Sequence, residues 1–279
     1  MNNKIAIIIL TNNVEKIIKK TVLAAKKISR NIIILDSGSN DQTIQIVKKL
    51  KCKIYKRKFV NYAHQRNFII RKCNNLFEWQ LHIDADEILS EKLIKNIKKI
   101  LKINIKNNSY IIKRQIYFLN KKLLFGGSSN WHLRLFPSGT TLVEYISYDN
   151  HFKSKLKSKK ISGILNDMNL KNLTEWTASH NASSTLSSKN NKINYSKNIV
   201  QPKLFGNRIE RLRFFKYIYY LFPPGIRPFF LFIVKYFFLL GFLDGKTGFY
   251  YCFFHSLWFR TLIDAKNFEL KNLKKKNNN

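Results

Sequence analysis

"QLHIDADEIL", residues 80–89, reads as a buried strand that stops in three acids, Asp84, Asp86 and Glu87. The chain has only 16 acidic residues against 51 Lys and Arg, so three acids at one strand end need a reason. Upstream, "IAIIIL" (5–10) and "NIIILD" (31–36) are β-branched runs too short for helices and followed by polar turn residues, the pattern of strands buried on both faces. Between them, Ile17, Ile18, Thr21, Val22 and Ala25 recur at helical spacing. "NDQTIQIVKKL" (40–50) predicts a second helix with Asn40 or Asp41 as its N-cap. "KIYKR" (53–57) is a weaker third strand, "YAHQRNFIIRKC" (62–73) a helix, and "EWQLHID" (78–84) the fourth strand. Ser90 caps a helix over the "EKLIKNIKKILKI" that follows.

Strands alternating with helices at this spacing predict an α/β fold with a mostly parallel sheet covered on both faces. Ligands in such sheets bind outside the carboxyl ends of the strands. Asp36 and Asp84 both occupy such ends and are expected to face one crevice. From residue 109, "SYIIKRQIYFLNKKLLFGG" and "WHLRLFPSGTTLVEYI" change to strands and loops. Past residue 205 the chain is dense in Phe, Tyr and Leu, broken by Pro223, Pro224, Lys235 and "DGKTG". No stretch there has 18 uninterrupted apolar residues, so the runs 228–243 and 248–259 are expected to lie in a membrane interface. A helical subdomain packed on the core is the alternative. The expected layout is a catalytic domain over 1–205, with a donor half 1–105 and an acceptor half 106–205, then an aromatic-rich helical region over 206–279.

With 279 residues and 45% hydrophobic content the chain can build a sizeable core, which excludes a disordered protein. Its formal charge of +35 suggests an anionic membrane surface or nucleic acid. Lys rises together with Asn and Ile, as an AT-rich genome would impose, and is spread through every segment. No nucleic-acid partner is therefore expected. Cys52, Cys73 and Cys252 are odd in number and widely spaced, which suits a reducing compartment better than a disulfide framework. "MNNKIAIIILTNN" lacks a signal peptide's long apolar run and cleavage site, so the fold is expected to begin there.

An Asp-x-Asp pair at the mouth of a parallel sheet can place one carboxylate on a ribose and the other on Mg²⁺ or Mn²⁺ shared with phosphates. "ILTNNVEKI", "ILDSGSNDQT", "HQRNFII" and "WQLHIDADE" resemble, in order and spacing, the family 2 glycosyltransferases of the GT-A fold. "GGSSNWHLRLFPSG" and the tail with "RP", "GFLDG" and "DAK" resemble the subgroup related to lipopolysaccharide-core and exopolysaccharide β-glycosyltransferases. The resemblance implies a nucleotide-diphospho-sugar donor, a divalent metal, and an inverting transfer to a lipid-linked, lipopolysaccharide or exopolysaccharide acceptor. The place implied is the inner face of the cytoplasmic membrane. A soluble or protein acceptor, or a basic binding module without catalysis, are the competing expectations.

By that resemblance Asp36 contacts the base or ribose, Asp84 the ribose, and Asp86 the metal. Thr11, Asn13 and Glu15 follow the first strand where they can bracket a base, and Gln65 and Arg66 are expected along the nucleotide side. Gly126 and Gly127 permit close backbone approach to a sugar, Trp131 can stack on one, and Arg134 can reach the diphosphate or acceptor. The family's "V-H-E"-like stretch is altered in "LVEYISYDNHF", so the base that takes the acceptor's proton is Asp149, or Glu144 if the register slips, with Asp167 a third possibility.

Overall fold

Burial of the first strand is complete, Ile5 to Ile9 being at most 3% exposed, because the strand is paired on both sides and covered on both faces. The computed structural model describes residues 4–146, 150–188 and 200–276. The chain forms two compact units, the first from Met1–Lys122, Ser129–Val143 and Asn150–Leu170, the second from Leu123–Ser128, Glu144–Asp149 and Lys171–Asn279. The units interleave, so contacts divide the chain near 170 and move two short inserts into the second unit, where the sequence suggests one boundary at 205.

In the first unit the strands are β1 (Ile5–Thr11), β2 (Ile32–Asp36), β3 (Lys53–Lys56), β4 (Trp79–Asp84), β5 (Glu87–Leu89), β6 (Asn108–Phe118), β7 (Lys121–Lys122), β8 (Ser129–Pro137), β9 (Thr141–Val143), β10 (Phe152–Ser154) and β11 (Lys157–Met168). Helices α1 (Glu15–Lys26), α2 (Thr43–Lys49), α3 (Tyr62–Asn74) and α4 (Glu91–Ile103) connect the early strands. The main sheet runs β3-β2-β1-β4-β8-β6-β11-β5, with β7 on β6. β3, β2, β1 and β4 are mutually parallel, as the sequence predicts, and β8 then enters antiparallel. α1 buries Ile17, Ile18, Thr21, Val22 and Ala25, the residues its spacing selects. Ser90 caps α4 by accepting the Leu93 N–H.

One detail of this sheet builds the site. β5 begins two residues after β4 ends, yet it pairs with β11 at the far end of the path, Asp167 opposite Glu87. The path β4-β8-β6-β11-β5 therefore curls back on itself around the Ala85–Asp86 turn. The Met168 N–H donates to Asp86 O at 2.9 Å and closes that turn.

The second unit is helical: α5 (Leu173–Ser188), α6 (Arg208–Leu221), α7 (Arg227–Ile233), α8 (Gly245–Cys252) and α9 (Phe259–Lys276). α6 starts in a capping box, Asn207 accepting the Glu210 N–H while Glu210 accepts the Asn207 N–H. The apolar runs 228–243 and 248–259 are not simple helices. π-helical turns occupy Val234–Phe238 and Phe253–Trp258, and a 3-10 turn occupies Gly241–Asp244. Arg227 and Asp264 form a buried ion pair, with Nε to Oδ2 at 3.0 Å, joining α7 to α9.

Candidate active site

The first strand ends combine into one network. Thr11 Oγ1 donates to Asp36 Oδ1 at 2.9 Å, Ser39 Oγ donates to the same oxygen at 2.5 Å, and the N–H groups of Gly38 and Ser39 both donate to Oδ2 at 2.9 Å. Gly38, at φ 99°, supplies the left-handed turn this requires. Burial works to raise the Asp36 carboxyl, but the hydrogen bonds from Ser39, Thr11 and Gly38 outweigh it and hold the group below its ordinary range. A carboxylate has about four acceptor positions, and the protein itself uses them. Asp36 thus shapes the loop after β2; the contact with base or ribose that the resemblance implies for it is a separate expectation. Asn13 and Glu15 join in: Asn13 Oδ1 accepts the Asn40 N–H at 2.9 Å and Glu15 Oε2 accepts the Gln42 N–H at 2.8 Å, tying the loop after β1 to the loop after β2.

At the end of β4, Arg66 and Arg134 clasp Asp84. Arg66 Nη2 donates to Oδ1, and Arg134 Nη2 donates to Oδ2 at 2.9 Å and to Glu87 Oε1 at 2.6 Å. Burial opposes charge on Asp84, but Arg134 and Arg66 prevail and hold it well below the ordinary range. Asp86, one turn on, lacks that help. Burial, then Asp167 and Asp84, push it up to about 7. Burial raises Asp167 to about 6, although Arg114 lies 3.5 Å away on β6. Glu87 is also raised by burial, partly offset by Arg134. His82 beneath them is pushed well below its ordinary value by burial and by Arg66 and Arg134, so it is a neutral ring stacked on Phe136.

The profile of the family described as Glycosyl transferase family 2 matches residues 6–153, more than half of the chain. The chain belongs to that family. Its α/β sheet is accordingly of the GT-A type. An uncharacterised glycosyltransferase of Rickettsia typhi is 36% identical over 97 residues, 35% of this chain and 32% of the relative. One of Rickettsia conorii is 34% identical over 100 residues, 36% of this chain and 35% of the relative. These matches span about a third of each curated relative. Among solved structures, S. aureus TarS has a TM-score of 0.42 at 13% identity, covering 95% of this chain and 91% of that one. The mannosyltransferase PcManGT from Pyrobaculum calidifontis, in complex with GDP-Man and Mn²⁺, has a TM-score of 0.41 at 12% identity, covering 66% of this chain and 62% of that one.

In this family 2 chain the structure brings Asp84, Asp86, Arg66 and Arg134 together in the first unit, with Gln65 on the same helix as Arg66. Gln65 Nε2 donates to Ser37 Oγ at 3.1 Å and Arg57 O at 2.9 Å, while its Oε1 is buried without a partner. Arg66 Nη1 and Arg134 Nε are likewise buried and unmatched. Trp131 is half-buried on β8 with the Lys160 ammonium 5.2 Å from its ring centre. Three participants escaped assignment from sequence. Arg114 meets Asp167 through the pairing of β6 with β11, and Glu87 accepts the Asp84 N–H at 2.8 Å and pairs with Arg134. Tyr62, at the start of α3, has its phenol raised by burial and by the charges of Asp84 and Asp86.

Other expected site residues belong to the second unit. Gly126 and Gly127, expected near a sugar, lie at φ 63° and 69°, and the Gly126 N–H donates to Leu239 O at 2.7 Å. A Cβ on Gly126 would meet Cys252 Sγ at 3.1 Å, so the close approach that the glycine requires is to the protein's own helices. Glu144 is buried, with Oε2 accepting from Arg213 Nη2 at 2.8 Å and Oε1 accepting the Val200 N–H at 2.7 Å. One oxygen is thus held in a buried ion pair and the other by a backbone N–H, the setting of a structural carboxylate. Asp149 lies outside the described residues.

A divalent ion fits this acid set. Among the described residues no three or more His, Cys, Asp or Glu form a ready metal cage. Mg²⁺ and Mn²⁺ do not need one, since such ions take one or two carboxylates and fill their remaining positions with water and phosphate oxygens. Asp86, a hard ligand whose charge its neighbours leave uncompensated, has the chemistry for that role.

Proposed function

We propose that this protein is an inverting glycosyltransferase that moves a sugar from a nucleoside-diphosphate donor to a lipid-linked, lipopolysaccharide or exopolysaccharide acceptor. The observation that carries the reading is the state of Asp86: an acid pushed up to about 7 by burial and by Asp167 and Asp84, at the carboxyl end of a parallel strand in a family 2 chain. A cation relieves that repulsion, and a diphosphate completes the cation's shell. Asp86 would hold the metal, which when bound neutralises charge on the departing diphosphate. The unmatched donors of Arg66 and Arg134 and the unmatched Gln65 Oε1 suit the donor's polar groups. Asp84, fixed as an anion by two guanidiniums, is oriented before ligand arrives.

The acceptor hydroxyl loses its proton to a carboxylate as it attacks the anomeric carbon. Asp167, raised to about 6, and Asp149, suggested by the altered "V-H-E" stretch, are the two candidates. The base substituted by Asn is expected to lower turnover a hundredfold or more with little change in donor affinity. The lipid-linked acceptor places the protein peripherally on the inner face of the cytoplasmic membrane, a reading supported by its charge of +35 and its aromatic tail.

Titration calorimetry with UDP-, GDP-, ADP- and dTDP-sugars, with and without Mn²⁺, tests the assignment. One nucleotide should bind with Mn²⁺-dependent affinity that Asp86→Asn removes. Equal affinity in EDTA, or an unaffected variant, would overturn the metal role.

A further inference from the structure

Between α7 and α8 the chain makes an elbow. The limb from Arg227 to Phe238 meets the limb from Gly241 to Leu273 at 71°, and the two are together long and apolar enough for a bilayer, although no single helix among the described residues is. At the bend Phe237, Phe238, Leu239, Leu240, Phe242 and Leu243 are all exposed, Phe238 by 75%. Six large apolar side chains facing outward in seven positions form a contiguous patch of the kind that soluble surfaces avoid.

We infer that this elbow enters the acyl-chain layer of one membrane leaflet as a re-entrant wedge, its two limbs returning to the same side.

Three features of the second unit favour lipid as the occupant. The first is charge. Lys235 is the one charged residue between Pro228 and Leu243, and its Nζ is turned inward, 3.4 Å from His255 Nδ1, which leaves the outer face of the elbow without charge.

The second is backbone saturation. Hydrocarbon offers no partner to a peptide group, so irregular backbone is tolerated there only when it is bonded internally. At the elbow the Leu239 N–H donates to Val234 O at 2.8 Å, the Leu240 N–H to Phe237 O at 3.2 Å and the Leu243 N–H to Leu240 O at 3.0 Å, while Leu239 O accepts from Gly126 N. These polar groups of the bend, where Leu240 lies at φ 58°, are thus bonded within the protein, as a membrane wedge requires.

The third is the flank. Lys246, three positions after the wedge, is exposed, a cation suited to anionic headgroups. The proposal concerns the lipid partner implied by the glycosyl-transfer reading, but its test does not use nucleotide or turnover.

The full-length protein carrying Cys52→Ser, with Phe238→Cys labelled by an environment-sensitive fluorophore, is mixed with phosphatidylcholine/phosphatidylglycerol vesicles. The expected result is a blue shift, quenching by acyl-chain nitroxides, and persistence of both in high salt. The same label at Lys49→Cys on the first unit should respond to neither. In parallel, Phe238→Asp with Leu243→Asp should keep the circular dichroism spectrum and lose at least tenfold in vesicle affinity. The inference is overturned by a fluorophore at 238 indifferent to vesicles, by binding of the double variant unchanged, or by association fully released by salt. It is equally overturned if the lipid-free protein is a dimer that the double variant dissociates, which would make the face an interface between two copies. Failure of the nucleotide titration would leave all these readouts intact, so the two proposals fall separately.

Discussion

In the second unit two buried acids are each matched by a guanidinium, Glu144 by Arg213 and Asp264 by Arg227, and a third, Asp244, accepts the N–H groups of Leu124 and Phe125. In the first unit four acids, Asp84, Asp86, Glu87 and Asp167, share three guanidiniums, those of Arg66, Arg114 and Arg134. The matched pairs join elements and leave no charge over. The unmatched cluster leaves one carboxylate's worth of repulsion, and it falls on Asp86. Buried charge of the first kind joins elements, and buried charge of the second kind is held at a cost in stability that a bound cation would relieve. The distinction is visible in direction alone: Asp84 is held low and Asp86 is driven up although both sit at the same strand end.

The largest expected effect lies on the matched side. Arg227→Ala strands Asp264 in an apolar setting and is expected to cost about 3–5 kcal/mol in urea denaturation, whereas Arg213→Met with Glu144→Leu, removing both charges, should be close to neutral. A double variant as damaging as the single one would break the comparison.

On the unmatched side the sign reverses. The Asp86 pKa is about 7 in the fold against an ordinary value of 3.8, so the folded state binds the extra proton. That contribution is fully present below the ordinary value and is lost as pH rises through the folded one. The metal-free protein should therefore lose stability between those limits, and Asp86→Asn should be more stable than wild type at pH 8 by roughly 2–4 kcal/mol, each pKa unit being worth about 1.4. Denaturation in EDTA across that range checks both statements, and Mn²⁺ with nucleotide should favour the wild type instead. A destabilised variant would place Asp86 among the structural acids.

Asp36→Ala orphans the buried donors of the turn after β2 and is expected to cost about 1–3 kcal/mol and to weaken nucleotide binding with or without metal. Normal stability with weakened binding would restore Asp36 as a direct ligand contact. The smallest effect is assigned to Tyr62→Phe. Stability should change by no more than about 0.5 kcal/mol, while nucleotide affinity falls about threefold to tenfold if the phenol beside Asp84 and Asp86 bonds the ligand. Calorimetry on the two proteins decides it.

How much of this was legible follows the range of the interactions. β1, β2, β4 and the buried face of α1 could be read residue by residue because β-branched runs and helical spacing are local signals. That Asp84 and Asp86 lie at a strand end was legible because the apolar run that precedes them stops there. The guanidinium of Arg114 was not, since its place beside Asp167 depends on the register of β6 against β11, set by contacts far along the chain. "GG" at 126–127 signals close approach without saying to what, and the partner is the elbow's own backbone. The tail's composition announced helices, but aromatic residues on every side erase the periodicity that would have located the π turns and the bend.

The return of the chain at Ala85–Asp86 also sets an order of assembly. Glu87 and Asp167 are neighbours in the sheet but 80 positions apart in the chain. A ribosome that has released β4 and β5 must add about that many residues before their partner strand exists, and closing so long a loop is the slow part of making a sheet. During that interval the acids of the turn stand in water, where carboxylates ionise at ordinary values. Burial and Asp167 on β11 raise Asp86 in the fold, so its proton uptake is expected to wait until β11 docks. A stopped-flow refolding experiment with a pH indicator should therefore register proton uptake late, with the final sheet pairing, and the metal site should be the last part of the first unit to become competent.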